Sequence, residues 1–295
     1  MASYSPSMIS ELNAQSAAFR FVALLAAEVS SGQIDLPAFP EVVARVKNAL
    51  SKEDVTPVKI AQLVASEAGL AARLMTMANS AIMNPSGTAI TELKSAIVRI
   101  GYNNVRTTAV AYAITKLKQA DGLQAIRKEL ELLWREATST AALAWAVAKR
   151  VPSLNADEAM LAGLVHNIGK VYILSRSQRM SGNAFSTGDT VAIVRDWHAN
   201  VGRAIVENWG FAPHIVAAVG EHEEQDRPLR QADLADVLQL ATSLREGMAE
   251  SSGKLPEGFE KFSVVVRLGL NRDKLAQVVH DGMQALSTLR NVLGV

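Results

Sequence analysis

Between Ala159 and Leu174 the chain is apolar on nearly every side of a helical wheel, through Leu161, Leu164, Val165, Ile168, Val171, Tyr172 and Ile173. Such a helix must be enclosed by other elements, so the fold has to build a wall around this segment. The exceptions are His166, Asn167 and Lys170. At about 100° per residue these three share one arc of about 100°. Unpaired buried polar groups are costly, so the stripe has to find partners. The spacing leaves two readings open, a satisfied polar network inside the core or a site.

The composition says what the wall is made of. Apolar residues are 49% of the 295 and charged residues 20%, which is the balance of a packed chain rather than a disordered one. Aromatics are only 5%, and alanine is abundant, so helices can approach closely. Helical segments are predicted at about 7–30, 40–50, 56–67, 69–79, 91–101, 103–118, 124–150, 155–174, 189–208, 213–223, 231–249 and 272–292. Prolines and glycines punctuate them, at Leu36-Pro37-Ala38-Phe39-Pro40, Asn84-Pro85-Ser86-Gly87, Val151-Pro152 and the polar stretches 181–188 and 251–258. Asn155 is placed to cap the helix that holds the polar stripe, with Asp157 and Glu158 in its first turn. Phe262 to Leu268 has the composition of a strand but no second strand to pair with it.

Thirty basic residues face twenty-nine acidic ones, with no dense cationic cluster, so nucleic acid is not an expected partner. The absence of cysteine excludes disulfides, thiolate metal sites and cysteine nucleophiles. Residues 1–11 lack the pattern of a signal peptide, and no apolar run approaches the ~20 residues of a membrane span. A cytoplasmic location is expected.

Common catalytic signatures fail on inspection. Gly163 to Lys170 has five residues between its glycines and lies inside a helix, so it is no phosphate loop. Glu221-His222-Glu223-Glu224 lacks the second histidine of a zinc-protease helix. Trp134, Trp145, Trp197 and Trp209 read as packing anchors.

Six segments in order carry a family resemblance. Leu36 to Val42 resembles the opening motif of HDOD domains, and Arg73 to Ala81 resembles their RLLxxANSA run. Leu93 to Arg106, with Ile100-Gly101 and Asn104-Val105-Arg106, is similar to AIxxLGxxxVR. Leu161 to Lys170 resembles LAGLLHDIGK, and Trp197 to Gly202 and Trp209 to Pro213 match later motifs. The resemblance runs from about residue 30 to 250. It implies an all-α bundle related to the HD phosphohydrolases, which hold divalent metal with histidines and aspartates and use it to activate water against a phosphoester.

Carried over residue by residue, the metal site is eroded. Glu136 stands where the first histidine is expected. The His-Asp pair is His166-Asn167, so its carboxylate has become an amide. Thr242 stands where the last aspartate is expected. Lys170 keeps the lysine after the pair, free to neutralise Glu136 or to reach solvent, and His198 and His222 match positions that hold further metal in the HD-GYP phosphodiesterases.

The resemblance therefore implies no catalytic residue, no metal and no cofactor, and a vestigial pocket of Glu136, His166, Asn167, Lys170, His198, His222 and Thr242. The expected protein is a non-catalytic bacterial signalling module acting through other signalling proteins. It has an N-terminal helix over 1–29, an HDOD domain over 30–250 in lobes of about 30–120 and 121–250, and a helical extension over 251–295. Two rivals remain: a residual metal-dependent phosphohydrolase of nucleotides or cyclic dinucleotides, and a sensor binding a nucleotide or small anion in the eroded pocket.

Overall fold

The computed structural model describes residues 6–31, 41–118, 123–180, 187–224, 227, 231–251, 254–255 and 257–293, and every regular element among them is helical. The Leu36 to Pro40 segment lies outside the described residues. In chain order come α1 (Pro6–Ser31), α2 (Glu41–Leu50), α3 (Pro57–Ala65), α4 (Ala68–Ala78) and α5 (Leu93–Lys118). Then follow α6 (Arg127–Ala148), α7 (Ala156–Val165), α8 (Ile168–Met180) and α9 (Thr187–Asn208). The chain closes with α10 (Pro213–Glu221), α11 (Leu234–Glu250), α12 (Ser263–Arg267) and α13 (Arg272–Leu293).

Local chemistry sets these boundaries. The Thr56 hydroxyl accepts from the Lys59 amide and Pro57 opens α3. The Asn155 side chain accepts from the amides of Asp157 and Glu158 at the start of α7, as expected. Asp233 and Asp236 form a reciprocal capping box on α11. Within α5 the backbone leaves helical geometry at Gly101, at φ 75° and ψ 162°, so the two helices predicted on either side of it meet there at a kink, a conformation that glycine reaches at little cost.

Two expectations are corrected. The strand-like Phe262 to Leu268 segment is the short helix α12, with Val264 and Val265 buried. Lacking a partner strand, its backbone satisfies itself locally, as in the Val265 and Val266 amides that donate to the Phe262 carbonyl. The apolar segment to Leu174 is not one helix either. The chain breaks at His166-Asn167 between α7 and α8, and the His166 ring bonds the Gly163 carbonyl, which a continuing helix would use for the amide four residues on.

The wall around α7 is close-packed because small residues meet. A Cβ on Gly163 would lie 2.5 Å from the Ala141 Cα of α6, so the two backbones touch. A Cβ on Gly169 would lie 2.0 Å from the His198 carbonyl oxygen, so α8 and α9 touch as well. The far side of α6 takes α13, through Gly282 against Leu143 and an Arg150–Asp281 ion pair at 2.9 Å. Trp134 is buried, and Trp145, Trp197 and Trp209 pack against the core. No helix among the described residues is long and apolar enough to cross a membrane.

Candidate functional site

Three histidines meet inside this wall, and each turns back on its own helix. His166 Nδ1 lies 2.7 Å from the Gly163 carbonyl oxygen. His198 Nδ1 lies 2.9 Å from that of Val194, and His222 Nδ1 lies 2.9 Å from that of Val219. A carbonyl only accepts, so Nδ1 carries the proton in each ring and the neutral form keeps its lone pair on Nε2. The His222 ring stands edge-on to both others, with centroids 5.4 Å from His166 and 5.8 Å from His198.

All three are buried. Burial is the main force holding His166 well below the ordinary imidazole range, helped by His222, Lys170 and Arg245 against the opposing Gly163 bond. Burial likewise pushes His222 down to about 4, although the Val219 carbonyl and Glu223 favour its charged form.

One half of the site is built on α6, the α7–α8 break and α11. Asn167 Nδ2 donates to Glu136 Oε2 at 3.4 Å. Glu136 Oε1 faces the Arg245 guanidinium at 3.3 Å. Of the two roles open to Lys170, the one on Glu136 is filled by Arg245 of α11. Thr242 sits one turn before Arg245, and its buried hydroxyl and the side-chain Oδ1 of Asn167 have no hydrogen-bond partner among the described residues. These two neutral oxygens are poor compensation for the missing carboxylates. The one carboxylate left, Glu136, already has its charge balanced by Arg245. The set does not fit a divalent cation, because such an ion would stand against a guanidinium.

The other half is built on α9 and the end of α10. His198 Nε2 lies 3.1 Å from Glu223 Oε1. One donor atom each from His198, His222 and Glu223 falls within 4.8 Å of the others. Burial would raise the Glu223 carboxyl, but His198, His222 and Lys170 outweigh it and hold it below the usual range. Two imidazoles and a carboxylate are the donor chemistry of a first-row transition ion, so this set fits a single metal. His198, Glu223 and Lys170 also line a cleft of about 630 Å³. Glu129, Ser177, Gln178 and Arg195 line it as well.

The structure thus brings six of the seven expected residues into two adjoining clusters. Glu136, Asn167 and Arg245 form one, and Lys170, His198, His222 and Glu223 form the other. His166 is the hinge between them, feeling both Lys170 and Arg245, while Thr242 lies alongside without a bond. Arg245 and Glu223 were not foreseen. Nothing in the sequence marks Arg245, whereas Glu223 stands next to an expected histidine.

A helical bundle closed around such a pocket is HD-type architecture. The HDOD domain matches residues 36–225, more than half of the chain, and the chain belongs to that family. Its fold is shared by a candidate metal-dependent phosphohydrolase from Shewanella amazonensis SB2B, at 22% identity over 92% of this chain and 99% of that one, with a TM-score of 0.72. An HDOD domain protein of unknown function from Geobacter sulfurreducens follows at 21% identity, covering 91% and 97%, TM-score 0.63. A candidate signal transduction protein from Marinobacter aquaeolei VT8 is 17% identical over 88% of this chain and 60% of its own, TM-score 0.59. No curated protein sequence matches the chain.

Proposed function

We propose that this HDOD protein is a non-catalytic, cytoplasmic bacterial signalling module that acts through contacts with other signalling proteins. The observation that carries the reading is the Glu136–Arg245 pair at 3.3 Å, with Asn167 on the same carboxylate. Where the HD resemblance puts metal ligands, the chain supplies its own cation and an amide. A water there has no Lewis acid to lower its pKa, and His166, held neutral by burial, is left as a structural group. The test is hydrolysis of bis-p-nitrophenyl phosphate and of a cyclic dinucleotide with Mn²⁺ or Mg²⁺. No turnover above buffer is expected. Turnover that disappears in His166→Ala contradicts the reading.

One observation favours a second reading. His198, His222 and Glu223 fit a single metal, and His198 and Glu223 line the cleft. On that reading the pocket is a metal-loaded sensor or a residual phosphohydrolase. It requires a metal that is lost in His222→Ala and retained in His166→Ala.

A further inference from the structure

Away from the histidines, α2 and α5 meet the turn between α9 and α10 over a small pocket of about 180 Å³. Two cations line it, Lys47 from α2 and Arg106 from α5. No carboxylate lines it, and among the described residues neither cation has an ion-pair or hydrogen-bond partner. Burial pushes Lys47 below the usual ammonium range, and the neighbouring Arg106 adds to it. Two like charges held in a partly buried pocket repel each other, and no acidic partner among the described residues offsets this.

The surroundings favour an anion. Ser51 also lines the pocket; its hydroxyl donates to the Lys47 carbonyl at 3.0 Å and has to turn away from it to donate to an anion. Ala212 is the N-cap of α10 and offers no side-chain cap, so the positive end of that helix is uncompensated at the same place. Gly210, at φ 64°, is the close approach: a Cβ there would stand 3.2 Å from Lys47 Nζ.

We infer that this pocket is a binding site for a phosphate-type oxyanion, bridged by Lys47 and Arg106. The planar guanidinium fork and the compact ammonium are the usual pair for phosphate oxygens. The volume selects the size of the group. About 180 Å³ holds a phosphate with a few waters but lies below the roughly 300 Å³ at which pockets for whole organic ligands begin. The ligand is therefore inorganic phosphate or the phosphoryl end of a larger molecule whose body lies outside. Lys47 and Arg106 come from the N-terminal helices, whereas Gly210 and Ala212 come from those that carry His198 and His222. A bound oxyanion thus ties the two parts of the bundle together.

The test titrates inorganic phosphate against the full chain at constant ionic strength, by calorimetry and by melting temperature, with chloride as control and glycerol phosphate as the larger probe. A saturable, phosphate-specific rise in melting temperature is expected. Lys47→Gln and Arg106→Gln should each weaken binding about tenfold or more, as loss of a charge-assisted contact does. In phosphate-free buffer both variants should melt at or above the parent, because a repulsion has been removed. Glycerol phosphate binding like inorganic phosphate marks the phosphoryl end as the recognised group, and either source supports the site. Three outcomes overturn it: no saturable response, a response unchanged in both variants, or a lower melting temperature of both variants without phosphate, which would make the two cations structural. Loss of the response in Lys170→Gln instead would move the anion to the histidine cleft and also overturn it.

Discussion

At the residue scale, the site is a set of largely buried polar groups, most of them paired, with the Thr242 hydroxyl and Asn167 Oδ1 left over among the described residues. His166 bonds Gly163, stacks edge-on to His222 and sits between two clusters of opposite character. His166→Ala removes a ring from a closed pocket and frees the Gly163 carbonyl. Leaving such a group unpaired typically costs about 1–3 kcal/mol, so the melting temperature should fall and signalling output should fall only with it. Lys170 lines the cleft and is part exposed, so Lys170→Ala should change both little. A sensor would behave otherwise: lost output in either variant with the melting temperature intact contradicts the structural role. Acid tests the same pocket. An unfolded imidazole takes up its proton near pH 6.5, but folded His222 does so only at about 4, and folded His166 also lies well below its ordinary value. Their depressed values therefore add stability that is complete above about pH 6.5 and lost as pH falls towards about 4. The loss is about 1.4 kcal/mol per pH unit for each group. The ionisable groups that act on this pair are Lys170, Arg245, His198 and Glu223. Urea unfolding across that range should show the slope, and His222→Gln should reduce it by one proton; an unchanged slope in the variant refutes the cause given.

At the element scale, glycine positions the site. Gly169 lets α8 lie against α9 at His198, with the His198 carbonyl oxygen and the Gly202 amide nitrogen 2.0 and 2.7 Å from any added Cβ. Both obstacles are backbone, so Gly169→Ala must push two helices apart. Intrinsic propensity favours alanine in a helix by about 1 kcal/mol, whereas overpacking a closed core costs about 1–3 kcal/mol or more. Contact should win: chemical denaturation should show net destabilisation, and a stabilised variant would mean that the crossing is looser than described. Much at this scale was legible in sequence. Pro57, Asn155 and Pro213 mark helix starts through chemistry that is local. The break at His166-Asn167 was not, because an apolar run shows no seam and the deciding event is a side chain competing for the Gly163 carbonyl. Phe262 to Leu268 misled for a related reason, since β-branched composition without a pairing strand leaves a helix turn as the local solution.

At the scale of the whole molecule, the sequence could give the all-helical class and the identity of most pocket residues, because both depend on motifs and periodicity. It could not show that Arg245, on α11, reaches Glu136 on α6, since a cation on a helix usually faces water and only the packing of distant helices brings these two to 3.3 Å. The same packing arranges six of the seven expected residues into a cluster that carries its own cation and a cluster with metal-ligand chemistry, joined at His166. It also leaves Lys47 and Arg106 together in one small pocket. The central claim is that the position of the HD metal is closed by the chain's own Arg245, Glu136 and Asn167. Elemental analysis of the purified protein and of His166→Ala, after dialysis against Mn²⁺, tests it most directly. The account predicts the same metal content in the parent and in His166→Ala, because an ion held by His198, His222 and Glu223 does not need His166. About one metal per chain in the parent, abolished in His166→Ala, would contradict it.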